Sequence, residues 1–231
     1  MHDAVASIDG WLEPGDSMKL YELGCSTPGP FLEIGTYRGK STTVLATALR
    51  DAERDVEFYS LDIAADDLAR ARAALAERGL ADRVTLVRGS ATAFFRALPD
   101  FRPRFVFIDG DHSAKGVGRD LGPLETRVPE GGMLYFHDFR NPRNQDPRDR
   151  AYGVPQAIGA SWVARDCEFA GEFGCAGLYR RVRGPDPDDS RDGRAGVDLI
   201  GLDRAGVRVL VQVARPVKRY LARYVPMLRR R

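Results

Sequence analysis

Five ionisable side chains directly follow two apolar runs of the sequence: Asp109, Asp111 and His112 after residues 105–108, and His137 and Asp138 after residues 133–136. Burying a charged group without a partner is costly, so acids and imidazoles in such places need a function. Carboxylate and imidazole groups can act as general bases or as ligands of a hard divalent ion. We therefore expect a catalytic or metal-binding site where these residues meet.

A glycine-containing turn follows the first apolar run. Residues 33–42 read E-I-G-T-Y-R-G-K-S-T and pass directly into a helical pattern. Gly35 and Gly39 remove side chains where a ligand approaches the backbone. The spacing is not the G-x-G-x-x-G of pyrophosphate-binding turns, and Glu33 would repel a phosphate. The turn therefore favours a cationic ligand that carries an amino group.

Two further signals follow the second and third apolar runs. Asp62 ends the second run, where a carboxylate can accept both hydroxyls of a ribose. A cap of the following helix is the alternative, but beside the glycine turn we favour the ribose. Ser90 and Ala91 follow the third run and are small enough for an adenine to lie flat beside them, although a simple strand-to-helix turn explains them equally well.

The elements that position these residues follow from the apolar periodicity. Short runs rich in Val, Ile and Phe alternate with helical patterns, at residues 30–34, 56–61, 84–87, 105–108 and 133–136. Such alternation predicts parallel strands joined by right-handed helical crossovers, and residues 167–170 and 175–180 predict a terminal antiparallel hairpin. We expect an α/β protein with a Rossmann-like, doubly wound, mostly parallel sheet of seven strands. Its carboxyl edge would hold the site.

The chain divides into three parts by composition. Residues 1–181 form the predicted domain, and residues 182–203 form a flexible linker with almost nothing to bury. Residues 204–231 form a basic amphipathic tail with nine Lys or Arg and no acid. For this tail we favour a helix packed on the domain or on a second subunit over a peripheral contact with anionic lipid.

Charge and hydropathy exclude several classes of protein. The whole chain carries +2, so the basic tail leaves the remainder net acidic, which argues against nucleic acid as a partner. No run approaches the ~18 apolar residues of a membrane span, and the N-terminus lacks a signal-peptide pattern, so we expect a cytoplasmic protein.

Residues 140–150 should form a mobile polar loop over the site. Its arginines, Arg140, Arg143, Arg148 and Arg150, either bind an acidic substrate or are simply solvated.

Taken in order, the five strand ends resemble the class I S-adenosylmethionine-dependent methyltransferases over roughly residues 5–181. Within that class the chain looks like the branch that includes the macrocin and mycinamicin sugar O-methyltransferases (methyltransferase family 24-like). The resemblance rests on F-I-D-G-D-H-S at 107–113, then Gly116, Val117, Asp120 and Leu121, then G-G-M-L-Y-F-H-D-F at 131–139, and Gly10-Trp11-Leu12 with Leu20-Tyr21.

The resemblance implies a role for each motif residue. Those that contact the cofactor would be Glu33, Gly35, Tyr37, Gly39 and Ser41 at the methionine part, Asp62 at the ribose, Ser90 and Ala91 at the adenine, and Asp109 under the sulfonium. Independently of the resemblance, we expect His112 or Asp111 to take the proton from a substrate hydroxyl, with His137 and Asp138 positioning that hydroxyl or sharing a metal ion. Some relatives bind Mg²⁺ at the positions of Asp109 and Asp138. Catechol-type relatives have Asp-Asn where this chain has Asp138-Phe139, so one expected ligand is missing.

We expect methyl transfer to a hydroxyl of a small molecule or sugar, with a residue at the end of the fourth strand removing the proton. Two alternatives stay open. One is a non-catalytic cofactor-binding protein recruited to a partner or membrane by its tail. The other is a nicotinamide-dependent oxidoreductase, which the glycine spacing disfavours. A homo-oligomer is compatible with either terminal segment at an interface.

Overall fold

The computed structural model describes residues 2–185, 198–202 and 208–211. Nine strands in this part of the chain form one sheet, in the order β6-β7-β5-β4-β1-β2-β3-β9-β8. The strands are β1 (Phe31–Ile34), β2 (Phe58–Asp62), β3 (Thr85–Arg88), β4 (Phe105–Ile108), β5 (Met133–Phe136), β6 (Cys167–Phe173), β7 (Ala176–Arg181), β8 (Asp198–Leu202) and β9 (Arg208–Val211).

Helices separate the strands along the chain. They are α1 (Pro14–Ser26), α2 (Lys40–Asp51), α3 (Ala65–Glu77), α4 (Ala91–Ala97), α5 (Ala114–Leu121), α6 (Val154–Gly159) and α7 (Trp162–Asp166). Short 3₁₀ helices cover His2–Val5, Ala81–Arg83, Gly122–Leu124 and Pro142–Gln145. Within the described residues no helix is both long and apolar enough to cross a membrane.

The predicted architecture is confirmed. Strands β1 to β5 pair in parallel, with β1 between β2 and β4, and β7 runs antiparallel to both β5 and β6. Because the chain leaves β1 toward β2 and later returns to β4 on its other side, the strand order reverses there. Ligands of open α/β sheets bind at the carboxyl end of such a switch point.

Two strands were not predicted from the sequence. Strand β9 pairs in parallel with β3, and β8 pairs antiparallel with β9, so together they extend the sheet beyond β3. Strand β8 lies in the range predicted as linker, and β9 lies in the range predicted as tail. The division into domain, linker and tail itself stays a prediction, and the basic helix of the tail lies outside the described residues.

The core has one layer on each face of the sheet. Phe31 and Phe105 pack with helices α1, α2 and α3, whereas Leu32 and Val106 pack with α4 to α7. Successive side chains of a strand point to opposite faces, so strands covered on both faces are apolar at most positions, with Glu33 in β1 and Ser60 in β2 as buried polar exceptions. This double covering fixes the strand ends, and with them the residues that follow each strand.

Candidate active site

A cavity of about 760 Å³ opens at the carboxyl ends of β1, β2, β3, β4 and β5. It is lined by the turns that follow these strands and, near the N-terminus, by Gly10 and Trp11. The predicted site residues that line it are Gly35, Tyr37, Asp62, Ser90, Asp109, Asp111, His112, His137 and Asp138. The cavity therefore brings most of the predicted site together.

The glycine turn after β1 is shaped by contacts with neighbouring elements. Gly35 has φ 99°, and a Cβ there would collide with the carbonyl of Asp109. Gly39 has φ 85°, and a Cβ there would lie 2.9 Å from Cβ of Ala71 on α3. Gly35 thus allows the ends of β1 and β4 to meet at the cavity, whereas Gly39 lies behind the wall and allows α2 to begin close to α3.

Asp62 is fixed by two backbone groups. The N–H of Tyr37 donates to Oδ2 at 2.7 Å, and the N–H of Ala64 donates to Oδ1 at 2.9 Å. Ala64, not Asp62, is the N-cap residue of α3, so the alternative that Asp62 caps this helix is not observed. The carboxylate therefore lies at the cavity in a set orientation, and it also holds Tyr37 at its unusual φ of 45°.

Glu33 and Ser41 do not line the cavity. Glu33 is completely buried, and its carboxylate accepts hydrogen bonds from Ser41 (2.5 Å), Thr42 (2.5 Å) and Ser60 (2.6 Å). Burial raises the pKa of Glu33 to about 7, although the three hydroxyl donors oppose this shift. Glu33 thus ties β1, β2 and α2 together beneath the glycine turn, and a direct cofactor contact of Glu33 or Ser41 stays a prediction.

Of the two residues predicted to contact the adenine, one lines the cavity and the other does not. Ser90 lines the cavity, and its Oγ accepts the N–H of Ala93 at 3.3 Å as the N-cap of α4. Ala91 is buried against the second core layer and does not line the cavity. The small residues after β3 therefore both begin a helix and bound the cavity.

Two histidines and two acids meet at the ends of β4 and β5. Nδ1 of His137 lies 2.9 Å from Oδ1 of Asp109 and 3.6 Å from Oδ2 of Asp138. Nδ1 of His112 lies 3.3 Å from Oδ2 of Asp138 and 4.0 Å from Oδ1 of Asp109. Burial opposes the charge of Asp138, but its contacts with His137 and Asn141 outweigh burial and lower its pKa to about 2.

His137 also contacts a buried acid behind the cavity. Its Nε2 lies 3.6 Å from Oδ2 of Asp16 and 3.3 Å from Sγ of Cys175. Burial alone would lower the pKa of His137, but the carboxylates around it raise that pKa well above 6.5. His137 is therefore an imidazolium held between Asp16 on one side and Asp109 on the other.

Sequence reasoning missed Asp16. It lies in the first turn of α1, after Pro14, where an acid is expected at a helix N-terminus for local reasons. In the structure it accepts backbone N–H groups from Glu13 (3.0 Å), Cys175 (3.1 Å) and Ala176 (3.1 Å). No local signal distinguishes such an acid, because its partners lie far along the chain.

Asp111 has a different environment from His112. Its Oδ1 accepts the N–H of Ser113 at 3.0 Å. Burial raises the pKa of Asp111, but the hydrogen bonds of Ser113 and the charge of Arg119 outweigh burial and lower the pKa below its usual range. Asp111 is thus a carboxylate occupied with the turn that begins α5, and it is a weak base.

The segment after β5 is packed against the site. Asp138 has φ 55°, a strained conformation for a residue other than glycine. Asn144 is buried, and its Nδ2 donates to the carbonyl oxygens of Asp138 (2.7 Å) and Phe139 (3.2 Å). Its Oδ1 accepts the N–H of Val154 at 3.0 Å. Asn144 thus connects the end of β5 to the start of α6.

The loop arginines mostly have acidic partners of their own. Arg140 pairs with Glu172 (3.2 Å), Arg143 with Asp149 (2.6 Å) and Arg148 with Asp146 (3.3 Å). The guanidinium of Arg143 also lies over the ring of Tyr152 at 4.1 Å, and that ring stacks on His112 with centroids 5.3 Å apart. These pairs favour an ordered wall beside His112 over a cationic grip on an acidic substrate.

Several cavity residues were not predicted as site residues. Trp11 and Ile63 are 79% and 74% exposed and line the cavity, as do Arg119, Asp120 and Tyr152. Trp11 and Asp120 belong to the motifs that carry the family resemblance, which was the available signal. Ile63 and Tyr152 lacked such a signal, because only the fold brings them to the cavity.

Comparison with known proteins agrees with this geometry. Residues 32–139 match a protein family described as a methyltransferase domain. This range begins in β1 and ends just after β5, so it includes all five strand ends that form the cavity.

The fold is similar to that of solved methyltransferase structures. An O-methyltransferase from Bacillus cereus in complex with SAH has a TM-score of 0.60, 17% identity and coverage of 79% of this chain and 87% of that chain. For TomG from Streptomyces achromogenes, an O-methyltransferase involved in tomaymycin synthesis and solved with SAM, the TM-score is 0.58, the identity is 18%, and the match covers 75% of this chain and 82% of that chain. For cofactor-bound Rv0187 from MTB, the TM-score is 0.62, the identity is 20%, and the match covers 78% of this chain and 85% of that chain. Residues 32–139 thus match a methyltransferase domain and the chain has the fold of these structures, while the macrocin-type branch stays a prediction.

Proposed function

We propose that this chain transfers the methyl group of S-adenosylmethionine to the hydroxyl oxygen of a small molecule. The observation that carries the proposal is the meeting, in one cavity, of a fixed ribose-type carboxylate at Asp62 with a partly exposed imidazole at His112. The cavity volume of about 760 Å³ lies in the range of small-molecule sites.

The cavity wall fits the cofactor. A Cβ at Gly35 would collide with the backbone after β4, so the turn there is as close to β4 as a backbone can be. Asp62 is held by two backbone N–H groups and still presents its carboxylate to the cavity. These features suit a ligand with a ribose and a cationic amino-acid part, as the sequence predicts.

His112 is the residue that we assign as general base. The bound cofactor supplies a methyl group on a cationic sulfur, which is a good leaving group, so the chain must orient the reactants and remove one proton. His112 takes the proton of the acceptor hydroxyl while that oxygen forms its bond to the methyl carbon and the methyl–sulfur bond breaks. Asp138, 3.3 Å from Nδ1, orients the ring, and Tyr152 stacks on it.

His137 and Asp111 have other roles in this proposal. His137 is already protonated and buried, so it cannot accept the proton, and it instead holds the carboxylates of Asp109 and Asp138 in place. Asp111 shapes the turn before α5 and has a lowered pKa. Neither group has the basicity and access that proton removal requires.

A divalent cation is a second part of the proposal. Ligand atoms of Asp109, His137 and Asp138 all lie within 4.8 Å of one another. Nδ1 of His137 is buried and makes no well-directed hydrogen bond, although Asp109 is close. A bound ion would lower the pKa of the acceptor hydroxyl. Since Mg²⁺ prefers oxygen ligands, this donor set suits Mn²⁺ or Fe²⁺ better. Nδ1 of His137 can bind either this ion or a proton, but not both at once.

Titration calorimetry with S-adenosylhomocysteine tests the proposal. We expect binding of this product and no binding of NAD, and transfer of labelled methyl from S-adenosylmethionine to a member of a panel of phenols, sugars and polyketide alcohols. Binding without transfer to any hydroxyl would favour a non-catalytic binding protein, and binding of NAD alone would favour an oxidoreductase. Repeating the titration and the transfer assay with Mg²⁺, Mn²⁺ or a chelator tests whether an ion takes part. If the chelator changes neither the affinity for S-adenosylhomocysteine nor the rate of transfer, this part of the proposal is refuted.

A further inference from the structure

Asp120 lies in the cavity without a partner. It belongs to α5 and lines the cavity beside Arg119. Its Oδ2 is 3.2 Å from the point where a Cβ on Gly110 would lie, so the carboxylate sits against the backbone that follows β4. Among the residues that the structure describes, Asp120 makes no hydrogen bond and no ion pair, not even with Arg119.

A partly buried carboxylate without a partner requires an explanation. Burial raises the pKa of Asp120 to about 6, an effect that the charge of Asp111 adds to and that of Arg119 opposes. Asp111, by contrast, has a backbone donor in Ser113. Asp120 is therefore the acceptor in this part of the cavity that a ligand must satisfy.

The cavity wall indicates which part of the cofactor lies there. Under the proposed function, Asp62 marks the ribose and Asp109 marks the sulfonium. One part of the remaining wall is formed by Gly89 and Ser90 after β3 and by Gly110 after β4. These three residues have small side chains or none, so a flat base fits against this part. The carboxylate of Asp120 lies at the same wall.

We propose that Asp120 reads the adenine base by accepting a hydrogen bond from its exocyclic amino group. This inference rests on the proposed function, because it presumes that S-adenosylmethionine occupies the cavity. An ionised carboxylate accepts hydrogen bonds and cannot donate them, so at a pH well above the Asp120 pKa of about 6 it selects an amino group over a carbonyl oxygen at the same position. Asp120 is thus a residue that determines the specificity of the cofactor site.

The predicted consequence is discrimination against hypoxanthine. S-inosylhomocysteine differs from S-adenosylhomocysteine by a carbonyl oxygen in place of the amino group, and that oxygen would face the carboxylate of Asp120. We expect the wild-type protein to bind the inosyl compound roughly tenfold to a hundredfold more weakly, since a lost charge-assisted hydrogen bond and an unpaired acceptor both contribute.

Calorimetric titration of both compounds into the wild-type protein, Asp120→Ala and Asp120→Asn measures this ratio of affinities. Asp120→Ala should weaken binding of the adenosyl compound and bring the ratio close to one. Asp120→Asn should also lower the ratio, because its amide can donate to the carbonyl of hypoxanthine. Asn has nearly the volume of Asp, so it serves if the alanine variant does not fold. Asp111→Asn removes the other acid of this part of the cavity and should change the ratio less than Asp120→Asn does, since Asp111 acts on Asp120 only through its charge.

The outcomes separate this inference from the proposed function. If the wild-type protein binds neither compound, the proposed function fails and the inference fails with it. If it binds the adenosyl compound but the ratio is near one, or is unchanged in both Asp120 variants, only the inference is overturned. A change in Asp111→Asn without one in Asp120→Asn overturns it in favour of Asp111 as the reader of the base.

Discussion

The environments of His112 and His137 differ although both lie beside Asp138. His137 is enclosed by three carboxylates, so its charge is structural. His112 is partly exposed to the cavity and contacts Asp138 through Nδ1 alone at hydrogen-bonding distance. The two rings therefore differ in burial and in the number of carboxylates that contact them.

We expect His112→Gln to lower kcat for methyl transfer by about two to four orders of magnitude, because it removes the proton acceptor. The affinity for S-adenosylhomocysteine, measured by calorimetry, should stay within about twofold. His137→Gln is the contrasting variant and should lower the melting temperature as well, since it removes the imidazole that lies between the carboxylates of Asp16 and Asp109. An unchanged kcat in His112→Gln would exclude this residue as the base.

Glu33 makes the stability of the protein depend on pH. Its pKa is about 7 in the folded protein and near 4.5 when unfolded, so the folded state holds more protons between these values. Its contribution is therefore fully favourable below about pH 4.5 and is lost as the pH rises to about 7. The loss is on the order of 3 kcal/mol, since each pKa unit corresponds to about 1.4 kcal/mol.

Glu33→Gln tests this pH dependence. The variant should show a smaller fall in the free energy of unfolding between pH 5 and pH 8, measured by urea denaturation, because a neutral side chain cannot lose a proton. Glu57→Gln is the control, since Glu57 lies outside the buried hydroxyl cluster around Glu33. A fall as steep in Glu33→Gln as in the wild-type protein would mean that Glu33 titrates normally.

At the scale of elements, the position of β5 relative to α6 depends on one buried amide. Asn144 makes three hydrogen bonds that join the backbone after β5 to the first turn of α6. These bonds keep Asp138 at φ 55° and so keep its carboxylate near both histidines. The catalytic cluster is therefore set by a contact between elements and not only by residues that touch the cavity.

We expect Asn144→Ala to lower the melting temperature by several degrees, because three buried backbone groups lose a partner. It should also lower kcat more than it lowers affinity for S-adenosylhomocysteine, since Asp138 would leave its strained conformation and release His112. Gln145→Ala changes the exposed neighbouring residue and should affect neither quantity. Equal losses of kcat and affinity would indicate general unfolding instead of displacement of Asp138.

At the scale of the whole molecule, charge is distributed unevenly along the chain. Residues 204–231 hold nine basic residues and no acid, and the described part of this range supplies strand β9, which lies between β3 and the edge strand β8. Strand β9 connects the basic tail to the domain through its pairing with β3. A tail attached in this way favours packing within the protein or its oligomer over contact with lipid.

Flotation on anionic phospholipid vesicles tests the tail. We expect neither the full chain nor a chain ending at Val211 to float, because we favour a tail that packs on protein over one that binds lipid. Ending the chain at Val211 retains β9, so the sheet is preserved in the shortened protein. Flotation of the full chain alone would show that residues 212–231 bind the membrane and would reverse our preference.

The sequence alone determined the order of the elements and the position of most site residues. Hydrophobic periodicity is a local property, so it located seven strands, and the residue after each strand then followed because parallel strands end at one edge. Asp62, Asp109, His112 and Asp138 were found in this way. Strands β8 and β9 were not found, because the residues around them are polar and because β9 joins the sheet by pairing with β3, which is distant in sequence.

Only the tertiary structure decided which polar residues face the cavity and which lie behind it. Glu33 points into the core among hydroxyls, and Asp16 reaches His137 from another element, because both orientations depend on how the helices pack against the sheet. The separation of His112 from His137 as base and cation has the same origin. Proton affinity depends on burial and on nearby charges, and these arise from contacts between residues that are far apart in the sequence.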